Sequence, residues 1–303
     1  KPWLLWMCYG ATHGPFTPAD RHKDTIPEDT EVPKPVDLFP PRPGKPEYVK
    51  NRTGYRRGEN GTAYVQNRPG NGWEHQEGVI TYQETAQGLD DAVGTLVETL
   101  KATGQLENTM IIYTSDQGFA WGQHGFQHKV APYDANIASP FIVSYPGFVP
   151  EGKVSSTPIG GHDLVPTLFH YAGVDLPWKM HGRNLAPLLE NPEEPSDHSV
   201  LLAFTGRTYG SDTATIPEGV DSHADMPWWV SYRVHKYKYI MSLIEGEVEE
   251  LYDLERDSDE LHNLALDPNH ADLLIEMRKA AIAEMRRTDC PFVDRLPEFA
   301  TIR

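Results

Sequence analysis

Residues 109–129, TMIIYTSDQGFAWGQHGFQHK, decide how the rest of the chain is organised. The first six residues are apolar and β-branched, which predicts a strand buried on both faces of a parallel sheet. The pattern ends at Ser115, and Asp116, Gln117 and Gly118 follow it. Because ligands bind at the carboxyl ends of strands in open α/β sheets, this position predicts a site in which a carboxylate and an amide oxygen hold a hard cation. The alternative is an ordinary turn.

The composition describes an acidic chain of 303 residues, with 27 Lys and Arg against 44 Asp and Glu and a net charge of −17. This length allows one large domain or one and a half. The excess of acids argues against nucleic acid as a general partner. No apolar run approaches the roughly 20 residues of a membrane-spanning helix, so no membrane span is expected. The two cysteines, Cys8 and Cys290, exclude a disulfide framework and leave a single bridge open.

Several motifs follow the predicted strand in a fixed order. After the acid-amide pair and its glycine come GQHG at residues 122–125, Lys129, and a second predicted buried strand at residues 140–145. This ordered set resembles the sulfatase family, and LYDLE at 251–255 with ELHNL at 260–264 matches the carboxyl-terminal signature of that family. The resemblance implies an α/β fold, an alkaline-phosphatase-like sandwich with a mostly parallel central sheet between helices, plus a small C-terminal antiparallel sheet and helix subdomain.

The order of predicted elements divides the chain in two. Residues 1–9 predict an apolar strand without a preceding Met or signal segment, which indicates a fragment, and the proline-rich residues 15–46 predict an irregular rim. Two helices are predicted next, one from Tyr82 to near Gly104 and one from Asp163 to Gly173. A composition shift near 191–197 separates residues 1–195, the later part of the catalytic α/β domain, from residues 196–303, with antiparallel strands at 228–240 and 248–254 and a closing helix at 271–287.

The resemblance also implies roles for single residues. His13 would protonate the leaving oxygen of the substrate, a task for which imidazole is suited near neutral pH, although a histidine that caps a strand end is the alternative. Lys129 would neutralise charge on the transferring group. Asp116 and Gln117 would hold one Ca²⁺ ion, with Mg²⁺ a weaker fit. Two further residues of the stretch are candidates for substrate binding: His124 and His128.

The nucleophile of the resembled family is a formylglycine made from Cys or Ser in a C-x-[PA]-S-R motif. Neither Cys8 nor Cys290 stands in such a motif. The resemblance therefore covers only the later part of a sulfatase, and formylglycine is expected upstream of this chain. The missing N-terminal half of the same protein is an expected partner, and the chain alone is predicted to bind metal poorly and to turn over nothing. The family resemblance implies a periplasmic, secreted or lysosomal location.

A basic segment stands out in this acidic chain. Residues 42–68 contain seven basic and two acidic residues, a local charge of +5. Arg56 and Arg57 in this segment are candidates for contacts with a polyanionic substrate, as are Arg207 and His223 in the long polar loop at 205–227. The alternative is a solvated loop with incidental arginines.

The predicted function is that of a sulfuric ester hydrolase acting on a sulfated small molecule or carbohydrate. Two alternatives stay open. A phosphatase or phosphodiesterase of the same superfamily would use two transition metals and usually a His after the Asp, whereas Gln117 favours one calcium ion. A non-catalytic remnant would instead hold sulfated polymers through the basic segment.

Overall fold

The computed structural model describes residues 1–66, 73–218 and 226–297. Its helices are α1 (Glu47–Lys50), α2 (His75–Ala102), α3 (Asp134–Ile137), α4 (Leu164–Ala172), α5 (Ala186–Glu190) and α6 (Ala271–Arg287). Its strands are β1 (Tyr55–Arg57), β2 (Ala63–Val65), β3 (Ile111–Thr114), β4 (Ala120–Trp121), β5 (Gln127–His128), β6 (Phe141–Ser144), β7 (Ser199–Phe204), β8 (Trp229–Val234), β9 (Tyr237–Ser242) and β10 (Glu250–Asp253).

The carboxyl-terminal part forms one antiparallel sheet in the order β10-β9-β8-β7. Strands β8 and β9 form a tight hairpin, in which Val234 pairs with Tyr237 and His235 has a φ of 50°. Helix α6 buries Met277, Ala281 and Met285 against this sheet. These residues are spaced by four along the helix, as an amphipathic helix requires. The closing helix and the antiparallel sheet are confirmed, but residues 228–240, predicted as one strand, divide into β8 and the start of β9 around the turn at His235.

Strands β3 and β6 pair in an antiparallel register, with Thr114 opposite Phe141. The expectation that they are parallel and buried on both faces is wrong for this pair, since Ile142 is 62% exposed. The physical reason is the connection between them, because residues 115–140 leave the carboxyl end of β3 and return to β6 at that same end. The α/β class with a small antiparallel sheet and helix is confirmed.

Helix α2 is the predicted amphipathic helix, extended at its amino end to His75. Gly104, with a φ of 66°, follows its last turn and allows the chain to reverse. The irregular residues 15–46 are attached to it, since Arg21 Nε donates to a carboxylate oxygen of Asp91 at 2.8 Å and His22 Nε2 lies 2.8 Å from the same oxygen. The proline-rich rim is therefore fixed to α2 although it has almost no regular structure.

Residues 1–9 do not form the predicted strand. Trp6 is 84% exposed and Leu4 is 78% exposed. A strand needs a neighbour that accepts and donates its backbone hydrogen bonds, and no strand of the described residues lies beside this segment. Cys8 and Cys290 are both free thiols, so the bridge that the sequence left open is not formed.

The two predicted parts of the chain share a buried cluster. Val49, Ala120 and Tyr133 from the first part pack with Ile240 and Tyr252 from the carboxyl-terminal sheet. The boundary near 191–197 stays a prediction. No helix of the described residues combines the length and the apolar character needed to cross a bilayer.

Candidate active site

The segment after β3 places Asp116 at the surface and Gln117 beside it. The amide Nε2 of Gln117 lies 3.3 Å from Asp116 Oδ2 and donates to it. The hydroxyl of Ser115 lies 3.1 Å from the Gln117 carbonyl oxygen. Gly118 lets the segment lie against α3, because a Cβ there would be only 2.7 Å from the carbonyl oxygen of Ala138. The turn is thus fixed from behind and presents its carboxylate outward.

These two residues are oxygen donors, which is the ligand chemistry of a hard cation. Calcium takes six to eight such ligands, and no group of three or more His, Cys, Asp and Glu side chains in the described residues could hold a metal ion. Asp116 and Gln117 therefore supply two of the oxygen ligands of such a site, and the described His, Cys, Asp and Glu side chains do not complete a cluster of three around them.

His13 is exposed on a turn in which its backbone N–H donates to the Gly10 carbonyl oxygen at 2.9 Å. Its Nδ1 lies 2.9 Å from the Gly14 carbonyl oxygen. Since a carbonyl oxygen only accepts, Nδ1 carries a proton and donates it to the Gly14 carbonyl oxygen, while Nε2 makes no hydrogen bond within the described residues. This tautomer leaves Nε2 available to exchange a proton with a substrate.

Lys129 lies in a backbone segment that is held on both sides. Its neighbours His128 and Val130 have positive φ values of 85° and 76°, a conformation that a β-branched residue rarely adopts. Asn136 Nδ2 donates to the His128 carbonyl oxygen at 2.8 Å, and Trp229 Nε1 donates to the Val130 carbonyl oxygen at 2.9 Å. We call residues 128–130 the lysine clamp.

The short hairpin of β4 and β5 brings the lysine clamp towards Asp116. Ala120 pairs with His128, so Lys129 lies level with Phe119, three residues after Asp116. The His128 ring packs edge-on against the Phe119 ring at 5.4 Å. Within the described residues, the Lys129 ammonium forms no hydrogen bond or ion pair. A cation that is held by its backbone and left without an anion is suited to bind an anionic group.

A buried polar network supports the chain behind the lysine clamp. Glu260 accepts from the Asp134 backbone N–H at 2.6 Å, and Lys238 bridges the two carboxylates at 2.7 Å each. Burial raises the pKa of Glu260. Lys45 donates to the Tyr252 hydroxyl at 2.7 Å and stacks over the Tyr133 ring at 4.0 Å. The carboxyl-terminal sheet therefore positions residues 133–134, immediately after the clamp.

The structure corrects the expectation for His124. His124 is 1% exposed and has a φ of 53°. Its Nδ1 donates a hydrogen bond to the Asp37 carboxylate at 2.6 Å. Burial lowers the pKa of the imidazole to about 4, and the ammonium of Lys45 adds to this effect. The ring also packs on Tyr133 at a centroid distance of 4.0 Å. A neutral, enclosed imidazole does not contact a substrate in this structure. His124 is therefore a buried residue that forms a hydrogen-bonded pair with Asp37, and not a substrate-binding residue.

The basic segment is split between interior and surface. Arg42 and Lys45 are 3% and 4% exposed, and Arg42 donates to four carbonyl oxygens. Arg42 and Lys45 therefore do not contribute to the exposed basic surface that the sequence predicted. Arg56 and Arg57 are exposed on β1 and lie over the Tyr64 and Phe39 rings at 4.6 Å and 4.0 Å.

The hairpin that carries these arginines adjoins the site. A Cβ at Gly54 would lie 2.0 Å from the Gly125 carbonyl oxygen, so the chain before β1 packs directly on residues 122–125. Arg207 is exposed in the loop after β7. Arg68 and His223 lie outside the described residues.

The residues that sequence reasoning missed are those of the interior. Asp37 occurs in a proline-rich stretch that has no periodic pattern, and Lys238 alternates with apolar residues as an exposed strand residue would. Only Glu260 carried a signal, because it stands in ELHNL. The rest depended on contacts between segments far apart in the sequence.

Comparisons with known proteins identify the family of this chain. Residues 1–174 match the Sulfatase family, and residues 122–288 match the family described as N-sulphoglucosamine sulphohydrolase, C-terminal. The N-acetylglucosamine-6-O-sulfatase of Bacteroides thetaiotaomicron is 30% identical over 219 residues, which are 72% of this chain and 36% of that protein.

Two solved structures extend the comparison to the fold. A protein in complex with its substrate D-glucosamine-2-N,6-O-disulfate superposes with a TM-score of 0.62 at 27% identity, over 71% of this chain and 42% of that chain. The phosphonate monoester hydrolase from Silicibacter pomeroyi superposes with a TM-score of 0.58 at 26% identity, over 72% of this chain and 42% of that chain.

The fold and the strand-end site define an α/β protein of the alkaline-phosphatase-like class. The chain belongs to the sulfatase family. It spans 36% of the curated relative and 42% of the solved structures described above. Membership of this family is consistent with the use of a metal ion and of formylglycine.

Proposed function

We propose that this chain forms the later part of the catalytic unit of a sulfuric ester hydrolase that removes sulfate from a small molecule or a glycan. The observation that carries the proposal is the lysine clamp, which holds the Lys129 backbone beside the Asp116 segment in a chain of the sulfatase family. Among the described residues, no side chain pairs with the Lys129 ammonium. A sulfated sugar as substrate is supported by a relative that is named for N-acetylglucosamine 6-O-sulfate and by a neighbour bound to a disulfated glucosamine.

The chemistry that the residues of this chain would perform follows from their placement. Asp116 and Gln117 would hold a calcium ion rather than Mg²⁺, because an amide oxygen and a surface carboxylate form a flexible oxygen site. When bound, the ion would polarise the sulfate oxygens, and a formylglycine outside this chain would supply the nucleophile. Lys129 would balance the charge on the transferring group. His13, with both ring nitrogens protonated and Nδ1–H held by the Gly14 carbonyl oxygen, would give its Nε2 proton to the leaving oxygen and return to the neutral imidazole.

The chain would need a partner surface, which we propose is the earlier half of the same protein. Trp3, Leu4 and Trp6 are 53%, 78% and 84% exposed, and Ile142 on β6 is 62% exposed. Large apolar side chains exposed in this way are typical of a surface that another part of the fold covers. In the joined protein, chymotrypsin should cleave residues 1–9 much more slowly than in the separate chain. Equal cleavage rates would contradict this partner.

The phosphonate monoester hydrolase neighbour raises the alternative that the protein hydrolyses phosphorus esters. A sulfate monoester carries one negative charge, whereas a phosphate monoester carries nearly two at neutral pH. A site with one metal ion and Lys129 matches the lower charge of a sulfate monoester.

We further propose a location outside the cytosol, periplasmic, secreted or lysosomal, from family resemblance.

The test uses the joined protein, in which the chain is connected to the formylglycine-bearing part. We expect faster hydrolysis of 4-nitrophenyl sulfate than of 4-nitrophenyl phosphate or phenylphosphonate, and a loss of at least about 100-fold in Asp116→Ala. Added calcium should recover part of that loss. Asp175→Ala removes an exposed carboxylate outside the site and is the matched control. A preference for the phosphorus esters, or an unchanged rate and metal content in Asp116→Ala, would overturn the assignment.

A further inference from the structure

Five aromatic side chains from three separate segments meet in one cluster. They are Phe16, Trp73, Tyr82, Phe119 and Trp121, and we call them the aromatic cluster. Phe16 contacts all four of the others, with ring centroids at 5.1 Å from Trp73, 5.5 Å from Tyr82, 5.8 Å from Phe119 and 5.4 Å from Trp121. These separations are the ones at which tilted and edge-to-face aromatic pairs attract. Phe16 is therefore the central member.

The aromatic cluster includes or contacts residues close in sequence to His13, Asp116 and Lys129. Phe16 stands three residues after His13, and Phe119 stands three residues after Asp116. The Phe119 ring also packs on His128, next to Lys129, at 5.4 Å. Three residues span at most about 11 Å even when fully extended. The position of the Phe16 ring thus limits how far His13 can move from the other two segments.

Few other interactions fix the position of His13. In the part of the chain that the structure describes, its hydrogen bonds go to Gly10 and Gly14, both within its own turn. The next side-chain hydrogen bonds to α2 along the chain are those of Arg21 and His22, eight and nine residues further on. The neighbouring glycine, Gly14, adds no stiffness to the backbone. Phe16 is consequently the first side chain after His13 that attaches this turn to the body of the fold.

We infer that Phe16 is a positioning residue, which holds His13 at the leaving oxygen by inserting its ring among Trp73, Tyr82, Phe119 and Trp121. This inference rests on the proposed function, in which His13 protonates the leaving group. The proton matters most when the leaving alcohol is weakly acidic, because a good leaving group departs without it. Loss of the Phe16 ring should therefore slow poor leaving groups selectively.

The experiment measures kcat/KM of the joined protein for 4-nitrophenyl sulfate and for phenyl sulfate, which have similar shapes and differ in the acidity of the phenol. The quantity compared is the ratio of the two values. Both substrates are measured on the same sample, so the fraction of folded enzyme cancels from the ratio. A merely structural role would lower both values together and leave the ratio unchanged.

In Phe16→Ala we expect the ratio to rise in favour of the nitrophenyl ester by about tenfold, part of the 10²–10⁴ that a general acid contributes. His13→Ala should raise it at least as much, and the double variant no further. Phe16→Tyr keeps the ring and should restore the parent ratio. Phe148→Ala deletes a stacked ring outside the cluster, which lies 4.4 Å from Tyr145, and should leave the ratio at the parent value.

The outcomes separate the inference from the proposed function. A parent that hydrolyses neither sulfate ester but cleaves phosphorus esters would overturn the proposed function. A ratio that rises in His13→Ala and stays constant in Phe16→Ala would overturn the inference alone. A ratio unchanged in His13→Ala would also overturn the inference, since Phe16 would then have no proton donor to place.

Discussion

His124 provides a quantitative test of the buried pair that it forms with Asp37. Burial lowers the pKa of the imidazole from 6.5 to about 4. Between these values the unfolded chain binds one proton more than the folded chain, so the stabilisation is complete above pH 6.5 and is lost as the pH falls. The difference of 6.5 − 4 = 2.5 units corresponds to about 3.4 kcal/mol in full. At pH 4, where half of the folded molecules are protonated, about 3 kcal/mol is already lost.

The variant His124→Asn removes the titrating ring and keeps a donor for the Asp37 carboxylate. We expect the free energy of unfolding of the parent to fall by about 3 kcal/mol more than that of the variant between pH 7 and pH 4. Urea unfolding followed by circular dichroism at both pH values measures this difference. His170→Asn, on the exposed end of α4, should keep the pH dependence of the parent.

Two outcomes would contradict the buried, neutral state of His124. If the parent and His124→Asn lose the same stability on acidification, the imidazole is not neutral and enclosed as the structure has it. If the variant is also inactive in the joined protein at unchanged stability, His124 belongs to the substrate site after all, and the correction to the expectation from the sequence fails.

Two further predictions concern the surface and the backbone of the site. Replacing Arg56 and Arg57 together by Ala should raise KM for a polyanionic glycan sulfate about tenfold and leave a small aryl sulfate nearly unchanged, since each charge-assisted contact contributes about 1–3 kcal/mol; equal losses on both substrates would contradict this. Gly125→Ala should destabilise the chain by about 3–5 kcal/mol in urea unfolding, because its φ is 70° and its Cβ would lie 2.2 Å from a buried guanidinium. Gly147→Ala is the control, because Gly147 has a φ of 78° and no atom of the described residues lies within 4 Å of an added Cβ. It should lower the free energy of unfolding by only about 1–2 kcal/mol. Equal losses in the two variants would show that the clash between the Cβ added at Gly125 and the Arg42 guanidinium is relieved.

Local patterns were enough to predict helices α2, α4 and α6 and to propose where along the chain the site lies. The steps of three and four in α2 and α6 mark one buried face, and such a face is a property of neighbouring residues. The apolar run before Asp116 and the abrupt polar turn after it also lie within a few residues of each other. For the same reason, Gly104 and Gly173 were identified as helix ends, since a left-handed residue after the last turn is a local requirement.

Contacts between distant segments decided the rest. Residues 1–9 have the composition of a strand, but a strand forms only where a neighbour completes its hydrogen bonds. His124 and His128 look alike in the sequence. Only the packing of Asp37 and Tyr133 encloses His124, whereas the hairpin of β4 and β5 places His128 against Phe119. The sequence by itself thus determined which residues can do chemistry, and the tertiary structure decided which of them are desolvated, because burial depends on what the other segments bring into contact.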